Sequence, residues 1–541
     1  MSMEFTDEER AILGRYFTNV DRAVFGLRNL PEVTKAALFA RYSRSPKSLR
    51  RLFLNEFYEG GAQDSPEADQ KGVDRAEGLF SRVLSEYGDD SVAQLAGVHV
   101  ALEELSNIAT KVIERPRLAA YLEQSTRYIP YDTRDSRGQF RYVRPPELSA
   151  QDLATYEVEM DALFSSYSDL SRSVMERLFA EAGGFESVAP PMRATLRAFG
   201  LDATRGLLPA ATRSNVGIYA SAQAMEQLVL HLYAHPLGEL RDLGAKLHAE
   251  LNLMIPSLVS RLNRDERRDP WVAYISQTRH LPAQALGGRR VIENAGFDGE
   301  LGLSGSLGGS VDLVDFDASG EAKITAAILF ERFGLGAREA SKAAASMGAE
   351  ELDELWREYH GSRENRRHRP SRALERTSYH FEVVCDYGAF RDLQRHRLLS
   401  IAWAELDCSL GYYTSSKLTE AEAASYSTAL ERAASYHLDL AQRYGPKVAA
   451  YCVPMAFRMR FDMEINAREA MHLIELRTTP QGHESYREIA QLMYRAISEF
   501  AGHHRVAAAM RYVDLSAGDQ GRLASLERED ARARPATVYK S

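Results

Sequence analysis

The chain has 541 residues, of which 45% are hydrophobic and 26% charged, a composition typical of globular proteins with an extensive core. Its formal net charge of −9 excludes bulk electrostatic attraction to nucleic acid or to an anionic membrane, so we expect no DNA, RNA or membrane partner. The three cysteines, Cys385, Cys408 and Cys452, form no CxxC pair and no disulfide framework, which predicts a reducing, cytoplasmic location.

Apolar residues recur at spacings of three and four along most of the chain, which predicts helices packed on a core. The first helix is expected to begin after Thr6, with Glu9 completing a capping box. Further helices are predicted over 76–87, 153–179, 224–235, 428–444 and 467–476, and strands over 91–104 and 378–387. The glycine-rich stretch 264–310 is predicted to be a linker, because its glycines lack the GxGxxG and GKS or GKT spacings of phosphate loops.

Three pairs of similar segments occur in the same order in the two halves of the sequence. KAALFARYSR resembles TAAILFERFG, ERPRLAAYLEQS resembles QRHRLLSIAWAE, and the helix that begins near residue 221 resembles the helix that begins near residue 467. Three collinear matches indicate a tandem duplication. We therefore predict a helical lead-in, a first copy, a linker, a second copy and a charged tail over 1–24, 25–263, 264–310, 311–515 and 516–541.

The first cluster of candidate site residues lies in RPRLAAYLEQSTRY. In an extended segment, the side chains of Glu123, Ser125 and Arg127 would point to the same face, because side chains two apart in a strand share a face. A guanidinium group suits a phosphate, and the carboxylate and hydroxyl suit the polar edges of a base or sugar. The alternative is a solvated strand with a surface Glu–Arg pair.

Two further clusters lie in the second half. Arg395, His396 and Arg397 form a cationic patch that suits a dianionic group or a pyrophosphate, or alternatively a basic loop that makes salt bridges to acidic neighbours. Asn466 and Arg477 are eleven residues apart, so a helix places both on one face. Alternatively, both are helix-end residues satisfied by neighbouring backbone. The histidines lack metal-ligand spacing, so no metal is predicted. The basic run 363–370 is predicted to be an exposed loop.

These clusters together resemble the flavin-dependent thymidylate synthases, whose signature is RHR followed, after seven residues, by the serine of an ExSxRY stretch. Pro116 replaces the histidine of RHR in the first copy. The residues that match the signature in the first copy are Arg115, Arg117, Glu123, Ser125, Arg127 and Tyr128. Those that match RHRxxS and the late helix of the family in the second copy are Arg395, His396, Arg397, Ser400, Asn466 and Arg477.

The resemblance implies an α+β fold with two tandem thymidylate synthase-like domains, each a mixed, mostly antiparallel sheet packed with long helices. It implies that the first-copy residues and Arg477 bind a uracil nucleotide such as dUMP, and that Arg395, His396, Arg397, Ser400 and Asn466 bind FAD. NADPH and methylenetetrahydrofolate are the implied co-substrates, and no protein nucleophile is required. The tetramer of the family implies a homodimer, a pseudo-tetramer, for a duplicated chain.

Each copy keeps a different part of the signature, so we hypothesise that the first-copy nucleotide segment faces the second-copy RHR segment and Arg477 in one composite site. Three functions stay open on the sequence alone. The first is an active thymidylate synthase or a close relative. The second is a flavoprotein with other nucleotide chemistry, and the third is a catalytically inactive nucleotide-binding paralogue.

Overall fold

A computed structural model describes residues 5–43, 45–58, 93–280 and 302–516, and the chain divides into two compact units. The first unit takes its described residues from the ranges Met1–Glu103, Pro116–Glu123 and Asn215–Glu293. The second unit takes its described residues from the ranges Glu104–Arg115, Gln124–Ser214 and Asn294–Ser541. Each unit combines helices with a sheet of antiparallel strands, which confirms the predicted α+β class.

The first unit consists of helices around a small sheet. Its elements are α1 (Asp7–Tyr16), α2 (Glu32–Tyr42), α3 (Leu49–Leu52), a π-helical turn (Phe53–Phe57), β1 (Gly97–Ser106), β2 (Ala119–Glu123), β3 (Arg213–Ser221), α7 (Ala222–Tyr233), α8 (Gly238–Met254), a 3₁₀ turn (Pro256–Val259) and α9 (Asp265–His280). The last residues of β1 and the first residues of β3 belong to the second unit. The strand order is β1-β3-β2, and β2 runs antiparallel to β3 with Glu123 opposite Val216.

The second unit holds a larger sheet and most of the helices. Its earlier elements are α4 (Asn107–Ile113), α5 (Ala150–Glu181), a 3₁₀ turn (Phe185–Ser187), α6 (Pro190–Thr204), a 3₁₀ turn (Arg205–Leu207), β4 (Gly302–Ser304), β5 (Ser310–Phe316), α10 (Gly320–Phe333), α11 (Ala337–Ser346), α12 (Ala349–His360) and a 3₁₀ turn (Arg372–Arg376). Its later elements are β6 (Ser378–Asp386), α13 (Tyr387–Leu393), β7 (Leu399–Trp403), α14 (Glu420–Tyr444), α15 (Pro446–Ala449), a 3₁₀ turn (Ala450–Cys452), β8 (Arg458–Asn466), α16 (Ala467–Arg477), α17 (Glu484–Arg495), a π-helical turn (Ala496–Phe500) and α18 (His504–Ala509).

The larger sheet has the strand order β4-β5-β6-β8-β7, and its neighbouring strands are antiparallel. Alternation along β6 buries Tyr379, Phe381 and Val383, and α17 packs against β5 and β6. The exposed positions of β8 carry the charged residues Arg460, Asp462 and Glu464. The sheet therefore has one apolar face under helices and one charged face, the usual pattern of an antiparallel sheet.

The two longest helices, α5 and α14, pack on each other within the second unit. Arg177 on α5 makes a bidentate ion pair with Glu422 on α14, with N–O distances of 3.1 and 3.0 Å. Arg432 on α14 makes a second bidentate pair with Glu159 on α5, at 2.8 and 3.1 Å. A helix from the first sequence copy is therefore built into the same unit as the second copy.

Matched helix caps support the duplication. A polar side chain at the N-cap accepts a hydrogen bond from the first turn in both members of each pair α4/α13, α5/α14 and α7/α16. The N-cap residues of the pairs are Ser106 and Asp386, Ser149 and Thr419, and Ser221 and Asn466. The pairs follow the same chain order in both copies, as a tandem repeat requires.

Most of the predicted elements that fall on described residues are confirmed, including the capping box of Thr6 and Glu9. The strand predicted over 91–104 begins later, at Gly97. The predicted linker 264–310 contains α9 and β4, while 281–301, the helix predicted over 76–87 and the tail from 517 lie outside the described residues. Among the helices of the described ranges, none combines the length and the apolar character that crossing a bilayer requires.

Candidate functional site

Of the segment Arg115–Tyr128, which was predicted to be extended, only β2 forms a strand. After Glu123 the chain turns, and the amide groups of Tyr128 and Ile129 donate to the carbonyl of Ser125 at 3.4 and 3.3 Å. The expected alternation of Glu123, Ser125 and Arg127 on one strand face is therefore wrong, because a turn rotates successive side chains away from a common face. Glu123 lies in the first unit, whereas Ser125, Arg127 and Tyr128 lie in the second.

Arg127 is a largely buried cation with four hydrogen bonds in the second unit. Its Nε and Nη2 donate to the two carboxylate oxygens of Asp202 at 2.9 and 3.0 Å, and Nη1 donates to the Tyr486 hydroxyl at 3.1 Å. Nη2 also donates to the carbonyl of Gln481 at 3.0 Å. These bonds fix the orientation of the guanidinium group.

Arg477, at the end of α16, lies beside the same tyrosine. Its guanidinium carbon is 5.5 Å from the centre of the Tyr486 ring, and that of Arg127 is 5.9 Å from the same centre. Both distances are within the range of cation–π attraction. An arginine from the signature of each copy therefore lies against one aromatic side chain.

His396, the histidine of RHR, is buried and fully hydrogen-bonded. The Nε–H of Arg477 donates to His396 Nε2 at 3.1 Å, and His396 Nδ1 is 3.1 Å from Glu469 Oε1. Because an arginine N–H can only donate, the proton of the neutral imidazole is on Nδ1 and is donated to Glu469. Burial lowers the pKa of His396 to about 4, so the ring is neutral at pH 7.

His472 repeats this arrangement on the other side of Glu469. Its Nδ1 is 3.1 Å from the same Oε1, and Arg369 approaches its Nε2 at 3.3 Å. Burial by itself would raise the pKa of Glu469, but the hydrogen bonds from His396 and His472 outweigh it and lower that pKa to about 2. A chain of hydrogen bonds thus runs from Arg477 through two histidines and one carboxylate to Arg369.

The same three side chains have the composition of a metal site, which the sequence did not predict. One ligand atom each from His396, Glu469 and His472 lies within 4.8 Å of the others. A metal would have to replace the protons on both Nδ1 atoms, yet the arginines that donate to both Nε2 atoms keep those protons in place. The hydrogen-bond pattern therefore favours a relay over a metal centre.

Asp392 is the acidic residue at the centre of this region. Its Oδ1 is 3.2 Å from Arg395 Nη1 and 3.5 Å from Arg477 Nη1. Asp202, Asp392 and Tyr486 belong to no recognised motif, and sequence reasoning missed all three. A search for acidic residues beside each basic motif would have found Asp392 alone, three positions before Arg395.

The remaining candidate residues are more accessible. Arg395 and Ser400 are exposed, Arg397 is half-buried, and Ser400 lies on the edge strand β7 opposite Glu464. Arg115 is exposed, with its guanidinium carbon 4.9 Å from the centre of the Trp403 ring, and Arg117 is exposed in the first unit.

Asn466 follows the alternative that the sequence left open for it, whereas Arg363 departs from its prediction. Asn466 is the N-cap of α16 and accepts the amide of Glu469 at 3.0 Å, as a helix-end residue does. Arg363 is not an exposed loop residue, which corrects the prediction for the start of the basic run 363–370. It is buried in a bidentate ion pair with Glu475, at 2.7 and 2.6 Å.

The fold and the clustered arginines define a duplicated α+β protein with a cationic centre built from both copies. The family described as thymidylate synthase complementing protein matches residues 33–257 and 320–501. The chain therefore belongs to this family, and it carries the family's domain twice.

Two relatives match along nearly the whole chain, and a third matches part of it. A UPF0159 protein of Chlamydia pneumoniae is 36% identical over 99% of both chains, and a UPF0159 protein of Thermoplasma acidophilum is 29% identical over 93% of this chain and 99% of its own. A protein named flavin-dependent thymidylate synthase, from Clostridium tetani, is 24% identical over 33% of this chain and 68% of its own. The recognition of the family from the sequence is confirmed.

Proposed function

We propose that this protein is a flavin-dependent thymidylate synthase-like enzyme that transfers a one-carbon unit to C5 of a uracil nucleotide, dUMP or a close relative, with FAD, NADPH and methylenetetrahydrofolate. The observation that carries the proposal is the convergence of Arg127 and Arg477 on Tyr486. A pair of oriented guanidinium groups from the two signatures suits the phosphate of a nucleotide.

In this proposal, Arg127 and Arg477 hold the nucleotide phosphate, and Tyr486 supplies an aromatic wall. The turn that carries Ser125 and Tyr128 lies directly beside Arg127 in the chain and would contact the sugar or base. Arg115, an outer first-copy residue of the same unit, would add a further cation to the nucleotide site.

The donor set at the start of β7 fits the diphosphate of a dinucleotide cofactor. Arg395 and Arg397 flank the buried His396 in the chain, and the exposed Ser400 follows three positions after Arg397, so one short segment combines two guanidinium groups with a hydroxyl. FAD bound there would supply hydride-transfer chemistry. His396 would contribute by orienting Arg477, because both of its ring nitrogens already have partners. Asn466 would contribute by capping α16, the helix that carries Arg477.

The buried state of His396 also favours a second candidate function, a nucleotide-binding paralogue without flavin chemistry. In this function His396, the histidine of RHR, orients Arg477 and makes no contact with a flavin, so the protein binds a nucleotide without the cofactor. The proposed homodimer and the proposed cytoplasmic location are the same for both functions.

The absorption spectrum of the purified protein, before and after incubation with FAD, separates the two functions. We expect visible flavin bands that stay with the protein through gel filtration. A protein that stays colourless after incubation with FAD, yet binds dUMP in a calorimetric titration, would establish the second function instead.

The nucleotide site is tested by Arg477→Ala with Arg468→Ala as the matched control on the same helix. Loss of a charge-assisted bond to phosphate is expected to weaken dUMP binding by about 1.5–3 kcal/mol. Arg468, which donates to the Pro370 carbonyl and pairs with Glu375, should leave dUMP affinity unchanged. Equal affinities of the wild type and R477A would remove Arg477 from the site.

A further inference from the structure

Asp392 lies beside two arginine side chains of the second unit, with Arg395 Nη1 at 3.2 Å and Arg477 Nη1 at 3.5 Å from its Oδ1. Burial by itself would raise the pKa of its carboxyl group, but Arg395, Arg477, Arg205 and Arg127 outweigh that effect and hold this pKa well below its ordinary value. The side chain is only 12% exposed, so an ionised carboxylate is held largely out of water at neutral pH.

Arg477 and Arg127 are oriented by other partners, whereas Arg395 donates to Asp392. Arg477 is held by the shorter bond to His396, at 3.1 Å against 3.5 Å to Asp392. Arg127 is held by Asp202, Tyr486 and a backbone carbonyl. For Arg477 and Arg127, Asp392 thus contributes charge more than it fixes their orientation.

One of the four arginines that lower the pKa of Asp392 has spare donor capacity. Arg205 is buried, and among the described residues its Nη2 has no hydrogen-bond partner. Buried guanidinium donors are normally satisfied, so an unused one marks a place where a further acceptor is stabilised. A phosphate offers several acceptor oxygens, whereas Asp392 offers two.

We propose that Asp392 is an internal carboxylate that competes with the phosphate group of the ligand for Arg395 and Arg477, and so sets the affinity of the centre for phosphate dianions. The proposal rests on the proposed nucleotide-binding function. Like charges within a few ångströms repel strongly where water is excluded, so a bound phosphate has to displace or tolerate this carboxylate.

The competition would make the site selective. Free phosphate, which has only its charge and its oxygens to offer, would bind the wild type weakly. A nucleotide adds contacts of its sugar and base to the same phosphate contacts, so it gains the affinity that the free ion lacks. Asp392 would thereby prevent inorganic phosphate from occupying the nucleotide site.

The test is a calorimetric titration of the full-length wild type, Asp392→Asn and Asp392→Ser with inorganic phosphate and with dUMP. Asp169→Asn is the matched control, because it removes one negative charge from an exposed position on α5. We expect both Asp392 variants to bind phosphate at least about tenfold more tightly than the wild type, and D169N to match the wild type. The midpoint of thermal unfolding in phosphate against chloride buffer is the second readout, and only the Asp392 variants should gain stability from phosphate.

Unchanged or weaker phosphate binding by both Asp392 variants would overturn the proposal and would assign Asp392 to the support of the arginines. Tighter phosphate binding by these variants, without binding of dUMP by any form, would keep the role of Asp392 and refute the nucleotide function. An equal gain in D169N would attribute the effect to overall charge and would also overturn the proposal.

Discussion

The Nε–H of Arg477 donates to Nε2 of His396, and this one bond decides which ring nitrogen of His396 carries the proton. With Nε2 occupied as an acceptor, His396 must donate from Nδ1 to Glu469, which also accepts from His472. A basic side chain of the proposed nucleotide site is therefore oriented by a buried carboxylate that never touches it.

Replacing Glu469 by Gln should loosen this chain. The amide keeps one acceptor oxygen but loses the charge, so we expect a loss of about 1.5–3 kcal/mol in the free energy of unfolding, measured by urea denaturation at pH 7. Glu464→Gln, at an exposed position of β8, is the control and should change stability by less than about 0.5 kcal/mol. Equal stability of the two variants would show that the relay is not formed in solution.

The free energy of unfolding should decrease as the pH is lowered from about 6.5 to about 4, because burial lowers the pKa of His396 from 6.5 to about 4. In this window the unfolded chain binds a proton that the folded chain does not, so acid favours unfolding, by about 1.4 kcal/mol per pH unit for each such histidine. Burial lowers the pKa of His483 to about 3 and adds a contribution of the same sign. The slope of the unfolding free energy against pH, measured by urea denaturation between pH 4.5 and 6, reports the number of protons taken up on unfolding. His396→Gln should lower that number by about one. An unchanged slope would contradict the burial of a neutral His396.

The Arg363–Glu475 pair should be far more important to stability than surface pairs. Both side chains are almost completely buried, so Arg363→Gln leaves a buried carboxylate without its cation and should cost about 3–5 kcal/mol in the free energy of unfolding. The bidentate pair of Arg432 and Glu159 is the control, since Arg432 is half exposed and R432Q should cost less than about 1 kcal/mol. Similar costs for the two variants would refute the burial of Arg363.

Two glycine-to-alanine substitutions should change the free energy of unfolding in opposite directions. A Cβ on Gly206 would lie 1.9 Å from the hydroxyl of the fully buried Tyr426, so Gly206→Ala should destabilise the protein by about 1–3 kcal/mol. Gly14 lies in α1 with open space around its Cβ position, so Gly14→Ala should stabilise α1 by about 0.5–1 kcal/mol. Thermal unfolding of both variants against the wild type checks the signs, and a stable G206A would mean that Tyr426 moves freely.

Local sequence patterns were sufficient for the long helices and for the duplication. The helix predicted over 153–179 is α5, which extends it by three residues at the start and two at the end. Its apolar spacing is a property of the segment itself, so no distant partner is needed to recognise it. The duplication was recognisable because three short matches keep their order, and the family matches both copies.

The arrangement of the site could not be derived in this way, because the side chains that contact one another there are distant in sequence. Arg127 is bound by Asp202 and Tyr486, which are 75 and 359 residues away and belong to no motif. The turn after Glu123 depends on hydrogen bonds that periodicity does not reveal. His396 resembles an exposed residue of a basic run, and only its contacts with α16 show that it is buried.

The pairing of α5 with α14 has a consequence for any attempt to divide the chain into single copies. Because α5 comes from the first copy and is packed within the second unit, a cut between the copies would remove a partner of α14 and expose buried residues such as Tyr436, whose ring centre is 6.5 Å from that of Tyr156. The second copy expressed alone would therefore lack part of its own core.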